Sequence, residues 1–593
     1  MKTAFRFASL GVLLASALIV PARAADPLPA IDWQPWSEGI FEKAKRENRF
    51  VLLDLGAVWC HWCHVMYEIT YADPAVIALV KSRYIAVRVD QDSRPDLSNR
   101  YEDYGWPATI VFNTDGSEIV KRRGYLPPKP MASMLEAIID DPTPGPSVEA
   151  EPKLEPSGEG ALDPKLREKL RALLVSEYDA KNHGWGSIHK FVDWDVIEYC
   201  LAAAGDGDRE FERMARETLA AGRKLIDPVW GGVYQYSTDG DWEHPHFEKI
   251  MQMQAENLRT YSLAYARWRD PADLQATTQI RAFLQAFLTS PDGAFFTSQD
   301  ADLVPGEHAG EFFALNDEGR RKQGVPRIDR HIYSRENGWA IHGLAALYAA
   351  TGDRTVLDDA LRAAEWIIAQ RGLPGGGFRH DAADLAGPYL GDNVFMARGL
   401  LSLYAVTSER SWLARAEQAL HFADTQFRGD VGYVTSAGAS ALKPKPQVDE
   451  NVAMARLASL LQHYTGKAEY RAIAEHAMRF VAAPMIADQR GFQVGGILLA
   501  GRELVAPPLH VTITGHKDDP AALALFRAGL ALPSSYKRVE WWDRREGPMP
   551  NLDVQYPELP KAAAFVCTAR SCSAPIFTPE KISAISDRIG GTR

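Results

Sequence analysis

Six glycine-plus-aromatic steps divide most of this chain, and they restrict its fold more than any other feature. Gly184-Trp185, Gly232-Val233-Tyr234, Gly293-Ala294-Phe295, Gly377-Phe378, Gly432-Tyr433 and Gly491-Phe492 follow one another at intervals of 48, 61, 84, 55 and 59 residues. Between them apolar residues recur at three- and four-residue spacing, as at Trp339, Ile341, Leu344, Leu347 and Tyr348, which is the period of a helix with a buried face. A repeat of this length is a unit that cannot bury its apolar side alone and must stack on its neighbours. Six helical hairpins, each ending in such a turn, predict an (α/α)6 toroid over residues 163–500, with an open solenoid as the alternative. The 84-residue step carries an extra segment, Gln299 to Arg330, without a helical period; insertions of that size are commonly functional loops.

The chain has further parts. Lys2 and Arg6, an uncharged apolar run from Ala8 to Val20, and Ala22-Arg23-Ala24 predict a cleaved leader over residues 1–24. The run has 13 residues, against roughly 20 for a membrane-spanning helix, so the expectation is a secreted, periplasmic protein with no membrane association after cleavage. Removing three cations takes the formal charge from −11 to −14, and an acidic chain without a basic stripe argues against a nucleic-acid partner. Residues 141–162, rich in Pro, Gly, Ser and Glu, predict a linker. Residues 501–593 predict a small α/β region, with strands near Leu509–Thr514, Lys537–Trp542 and Ala562–Cys567.

Within residues 25–140 the apolar run Val51 to Val58 leads directly into Trp59-Cys60-His61-Trp62-Cys63-His64-Val65-Met66. Two cysteines separated by two residues, where a buried strand gives way to a helix, predict a redox dithiol, because first-turn N–H groups and the helix dipole favour a thiolate. Cys60 is the expected exposed nucleophile and Cys63 the shielded resolving thiol. His61 either stabilises the Cys60 thiolate as an imidazolium or is simply exposed. Cys-x-x-Cys-His is also the attachment signature of c-type haem, and the four side chains Cys60, His61, Cys63 and His64 suggest zinc. Adjacent residues rarely converge on one tetrahedral ion, and the strand–helix setting does not suit haem, so no cofactor and no metal are expected. The pattern strand, helix, strand, helix, hairpin, helix is the thioredoxin order, and Pro107 stands where that fold sets a proline loop against the dithiol. The sequence does not fix the isomer of the Trp106–Pro107 bond.

These features together resemble the spermatogenesis-associated, thioredoxin-like proteins, which join a thioredoxin-like domain to a six-hairpin glycosidase-like toroid. The resemblance rests on the Trp-Cys-His-Trp-Cys-His-Val-Met string, Gly-Gly-Val-Tyr-Gln-Tyr-Ser at 231–237, His246-Phe247-Glu248-Lys249, Asp300-Ala301-Asp302, Asn337-Gly338 and Cys567 with Cys572. It implies a multidomain fold, α/β plus all-α: thioredoxin-like domain, (α/α)6 toroid and small α/β appendage. Where that family continues His-Phe-Glu-Lys with Met-Leu-Tyr-Asp-Gln, this chain has Ile250-Met251-Gln252-Met253-Gln254. Where the family has Ala-Pro-Lys-Phe-Pro, this chain has Ile188-His189-Lys190-Phe191-Val192. A diverged toroid pocket follows.

Two functions stand side by side at this stage. One is thiol–disulfide exchange with protein thiols, protein disulfides or a redox donor protein. The other is a carbohydrate-binding or carbohydrate-active toroid with an accessory thioredoxin-like domain. For the second, His246, Glu248, Asp300 and Asp302 are the candidates, as paired carboxylates beside aromatic platforms suited to a sugar, and a cleft faced by Glu248 and Asp300 or Asp302 is expected. Histidines 244, 246, 331 and 342 offer proton transfer instead, and Asp392 and Asp449-Glu450, at helix starts, stand behind these candidates. Cys567 and Cys572 predict a local structural disulfide, and Cys200 a buried small residue.

Overall fold

The computed structural model describes residues 30–148, 154–158, 160–384, 386–438, 440–568 and 571–590. The expected leader lies outside them. The described parts of 141–162 contain no helix or strand.

The first domain is a four-stranded sheet in the order β2-β1-β3-β4, built from β1 (Phe50–Gly56), β2 (Tyr84–Asp90), β3 (Ala108–Phe112) and β4 (Glu118–Arg123). β2 runs parallel to β1, and β3 and β4 are antiparallel neighbours. Every residue of β1 is buried, as an apolar run covered on both faces must be. Successive side chains alternate between two cores: Leu52 joins Val76, Met131 and Leu135 on one face, while Val51, Leu53 and Leu55 join Trp36, Ile40 and Leu97 on the other.

The second part is a closed ring of helices. Six inner helices, Trp194–Gly205, Met251–Trp268, Ser334–Thr351, Leu390–Thr407, Val448–Thr465 and Gly495–Val505, each lie beside the next, and the last lies beside the first. That closure replaces the solenoid alternative. The chain enters on an outer helix, Pro164–Ser176, and leaves on an inner one that runs to Val505. Small residues let the inner helices approach: a Cβ on Gly338 would lie 2.5 Å from the carbonyl carbon of Phe395.

The glycine-aromatic steps have a physical cause here. The N–H and C=O of Phe295, Phe378 and Tyr433 are each held by one side-chain amide at the start of the following inner helix: Asn337 (2.8 and 3.0 Å), Asn393 (2.8 and 3.3 Å) and Asn451 (2.7 and 2.8 Å). Gln254 does the same for Val233, with both bonds 2.7 Å. Each turn is thereby a buried loop whose backbone groups are satisfied by the next repeat.

A third unit has strands β5 (Leu509–Thr514), β6 (Lys537–Trp542) and β7 (Ala563–Cys567) in the order β6-β5-β7. It covers the C-terminal ends of the inner helices, where Tyr536 donates to Glu503 O (3.0 Å) and Val539 N donates to Tyr464 Oη (3.2 Å). The thioredoxin-like domain covers the opposite end. Asn99 donates to Glu450 (3.0 Å), Gln447 to Glu102 (3.0 Å) and His380 to the carbonyl of Asp92 (2.7 Å). Inside the ring, Glu198 is bonded by Arg259 and Arg456, and Arg456 also bonds Glu503. Buried charges of this kind persist only when paired. No helix among the described residues is long and apolar enough to cross a membrane.

Candidate functional site

Cys60 is the N-cap of the helix His61–Val65, which continues without a break into the wider turn Met66–Thr70. Its Sγ accepts a hydrogen bond from the backbone N–H of Cys63 (3.1 Å), as the strand-to-helix position requires. The two sulfurs are bonded at 2.20 Å. Trp106, before a cis bond to Pro107, packs on the dithiol with Trp59, Tyr67 and Ile250. Gly56, at the end of β1, lies under Tyr67 and Cys63, and a Cβ there would sit 2.3 Å from the tyrosine oxygen.

The toroid covers this motif. Cys60 is 4% exposed and Cys63 0%, which corrects the expectation of an exposed Cys60; the exposed member of the string is Trp62. The covering segment is the long insertion. Strand Ser298–Gln299 pairs with Lys249–Ile250 and Ile328–Asp329, and the residues after it reach the dithiol helix. The N–H of Ala301 donates to the carbonyl of Trp59 (3.2 Å). Asp302 accepts from His61 Nδ1 (2.7 Å), His64 Nδ1 (2.9 Å) and the N–H of Gly306 (2.9 Å). His61 is therefore buried, with its ring turned to the toroid carboxylate rather than left in solvent.

The electrostatics follow from this geometry. His64 Nε2 donates to the carbonyl of Val58 (3.0 Å) while Nδ1 faces Asp302, and a ring with acceptors on both nitrogens is an imidazolium. Burial works against that charge, but the bond to Asp302 and the charges of Asp300 and Asp302 overcome it and raise the His64 pKa. Burial likewise opposes ionisation of Asp302, yet its bonds to His61 and His64 bring it down to about 2. Asp300, buried with less compensation from His64, is pushed up to about 7. Glu248 Oε1 accepts from the N–H of His61 (3.4 Å), its Oε2 lies 3.8 Å from His246 Nδ1, and His246 stacks on Tyr236. Asp300, Asp302 and His64 are close enough together to surround a metal ion, but both His64 nitrogens are spent as donors.

Glu248, Asp300 and Asp302 thus meet at the domain junction instead of lining an open cleft, which differs from the sequence expectation. The physical reason is that their partners, His61 and His64, come from another domain. The other histidines do not converge. His244 pairs with Asp241 at the surface, His331 with Asp329, and the half-buried His342 bonds Ser402 toward the far end of the ring. Cys200 is buried and unbonded, its thiol pushed up by burial. Cys567 and Cys572 are bonded to each other.

A cavity of about 290 Å³ lies between the dithiol and the mouth of the ring. Trp59, Trp106 and Ile250, which pack on the dithiol, form one wall; Trp339 and Phe395 stand on inner helices. Its charged lining is mostly acidic: Asp92, Glu102, Glu336, Asp449 and Glu450, against a single arginine, Arg335. Arg335 bonds Glu336 Oε1 (2.7 Å), while Glu336 Oε2 is buried without a hydrogen-bond partner among the described residues. Burial pushes Glu450 up to about 8. Burial first, then the charges of Asp90 and Glu336, also raises Asp92. Except for Asp449 and Glu450, this set escaped the sequence reading. The signal was present: Glu336-Asn337, Asp392-Asn393 and Glu450-Asn451 are three equivalent pairs. The asparagine holds the preceding turn, and the carboxylate stands at the helix start.

Comparison with known proteins agrees with this architecture. Residues 21–139 match the family described as "Thioredox_DsbH: Protein of unknown function, DUF255". Spermatogenesis-associated protein 20 of Homo sapiens is 22% identical over 533 residues, which is 67% of this chain and 67% of that protein. Thiol:disulfide interchange protein DsbD 2 of Pseudomonas aeruginosa is 35% identical over 83 residues, 14% of each chain. A solved sugar epimerase from a ruminal bacterium overlaps 53% of this chain and 85% of its own, at 15% identity and a TM-score of 0.42; the ring assignment rests on the helix order above and not on that overlap. Over residues 21–139 the chain is thus similar to the thioredoxin-like DUF255 family, and over two thirds of its length it is similar to spermatogenesis-associated protein 20.

Proposed function

We propose that this chain performs thiol–disulfide exchange in an oxidising compartment outside the cytosol, with Cys60 as nucleophile and Cys63 as resolving thiol. The observation that carries this reading is the hydrogen bond from the Cys63 N–H to Cys60 Sγ, made by a helix N-cap against a buried strand. In the reduced protein the same N–H favours a thiolate at Cys60, as first-turn amides do. The His64 imidazolium, one turn further along, adds positive charge to the same helix. The Cys60 thiolate attacks a disulfide sulfur, one thiolate leaves, and a mixed disulfide forms; Cys63 then attacks Cys60 Sγ, releases the second thiolate and closes the Cys60–Cys63 bond. Pro107 and Trp106 form the wall against which the incoming disulfide is placed.

Trapping tests this order of events. Cys63→Ser leaves attack intact and removes resolution, so it accumulates a mixed disulfide on Cys60, visible as a mass increase lost on reduction. Cys60→Ser accumulates none. Equal trapping by both variants refutes the assignment of roles.

A further inference from the structure

The dithiol is closed to large partners in the docked arrangement. Cys60 and Cys63 are buried, the exchange helix is bonded to Asp302 and Glu248 of the toroid, and the Ala301 N–H to Trp59 carbonyl bond fixes the edge of the junction. A cavity of about 290 Å³ lies beside the dithiol, and three of its wall residues, Trp59, Trp106 and Ile250, belong to the apolar cluster that holds Cys60 and Cys63. A space of this size is that of a small-molecule pocket, too small for a folded protein segment with its flanking chain.

The lining also selects chemistry. Three tryptophans, Trp59, Trp106 and Trp339, supply flat apolar surface. The carboxyl groups outnumber the one arginine, which is already engaged by Glu336. Glu336 is 3% exposed and lines the cavity with Oε2 lacking any partner among the described residues. An acceptor buried in that way is costly unless a donor reaches it. Glu450, in the same wall, accepts from Asn99 (3.0 Å) and Thr435 (2.9 Å) but has no ion-pair partner among the described residues, so an ammonium or hydroxyl group in the cavity would supply the charge or donor that the protein leaves out.

We infer that the substrate is a low-molecular-weight disulfide whose non-sulfur portion carries hydrogen-bond donors, ammonium or hydroxyl groups, held in the cavity between Trp59, Trp106, Glu336 and Glu450. This inference rests on the exchange reading above. The reaction balances as dithiol plus R–S–S–R giving the Cys60–Cys63 disulfide plus two R–SH, the two electrons coming from the protein; a dithiol reductant returns them.

The test uses the full chain, reduced beforehand and freed of reductant, with oxidation of Cys60 and Cys63 followed by acid quench and thiol titration. Cystamine carries two ammonium groups, 2-hydroxyethyl disulfide two hydroxyls, 3,3′-dithiodipropionate two carboxylates, and insulin serves as the protein disulfide. Each rate is divided by that of free dithiothreitol with the same disulfide, which removes intrinsic reactivity. Cystamine or 2-hydroxyethyl disulfide should exceed dithiodipropionate at least tenfold and insulin by more; which of the two leads identifies the donor as ammonium or hydroxyl. Glu336→Gln and Glu450→Gln should each reduce that preference at least threefold, while the Cys60/Cys63 equilibrium with dithiothreitol stays unchanged. Insulin matching the small disulfides, or dithiodipropionate matching both cystamine and 2-hydroxyethyl disulfide, overturns the substrate class and leaves exchange standing. Absence of oxidation by every disulfide overturns exchange itself, and with it this inference.

Discussion

Asp302→Asn is the sharpest perturbation of the junction, because it removes one charge, keeps the shape, and leaves both cysteines untouched. The carboxylate sits at about 2 against its ordinary 3.8, a difference of nearly two units, and at 1.36 kcal/mol per unit this gives about 2.4 kcal/mol of stabilisation at neutral pH. A separate count agrees: losing the ionic part of two charge-assisted hydrogen bonds costs about 2–3 kcal/mol, each such bond being worth roughly 1.5–3 kcal/mol. If the thioredoxin-like domain lifts from the toroid as a unit, that energy multiplies the open population by about 30 to 100, since 1.4 kcal/mol is tenfold. The assay is alkylation of the reduced protein by iodoacetamide at pH 7, read on the Cys60 peptide by mass spectrometry. Rapid opening makes the rate follow the open population, so Cys60 in Asp302→Asn should react about 30- to 100-fold faster than in the parent, with the main unfolding transition little moved. A rate within threefold of the parent, combined with a large fall in melting temperature, would falsify the seal: Asp302 would then hold its own loop and not the domain junction.

The same measurement has a signed pH dependence. Asp302 has a depressed pKa, so its contribution is present above the ordinary carboxylate value and is lost as pH falls through about 2. His64 has a raised pKa, so its contribution is complete below 6.5 and is lost as pH climbs through the raised value. Alkylation of Cys60, corrected for thiolate fraction, should therefore accelerate above neutrality in the parent, and a flat corrected profile would count against the His64–Asp302 pair.

Two further outcomes concern the scaffold. Asn451→Ala strands the buried N–H and C=O of Tyr433 and should cost about 2–6 kcal/mol, two unsatisfied groups at roughly 1–3 kcal/mol each; urea unfolding measures it, and a loss under 0.5 kcal/mol would show that the turn holds without the amide. Cys572→Ser opens the Cys567–Cys572 bridge and, for so short a loop, should cost roughly 2 kcal/mol at most, with the exchange rate at Cys60 unchanged; a matching loss of exchange would make the second pair part of the redox path.

The legible and illegible parts of this chain differ by the range of the contacts that create them. β1 was readable because Phe50–Gly56 is buried on both faces and its sequence is apolar except for Asp54, which pairs with Arg88. The dithiol was readable because Cys60 and Cys63 lie within one turn. The toroid was readable because each repeat carries its own Gly-aromatic turn, and the amides that hold those turns, Asn337, Asn393 and Asn451, lie 15 to 42 residues downstream of the backbone they bind. The state of the dithiol was not readable. Exposure of Cys60 was inferred from the helix start alone, whereas its burial depends on Asp302 and Glu248, 238 residues from His64 and 187 from His61. No local pattern reports such a contact.

That long-range contact also changes how the carboxylates are interpreted. Read along the chain, Glu248, Asp300 and Asp302 are acids next to aromatic turns, the arrangement of a sugar site. Read in space, Asp302 and Glu248 are the acceptors for the two histidines that flank Cys63, so the toroid spends them on holding the exchange helix. The acids left for a ligand are those at the inner-helix starts, Glu336 and Glu450, each beside the asparagine that builds its own repeat. The sugar-site reading of Glu248, Asp300 and Asp302 therefore had the right kind of group in the wrong place, while Glu450, at a helix start, was among the lesser candidates and Glu336 was not. Asp302, a few residues past the Gly293-Ala294-Phe295 turn, faces the partner domain, and Glu336, which opens the inner helix after it, lines the cavity. A structural link between the two domains follows: Asp302 and Glu248, which seal the dithiol, and Glu336 and Glu450, which line the space beside it, come from the toroid, whereas Trp59 and Trp106 come from the first domain, so the cavity has walls from both.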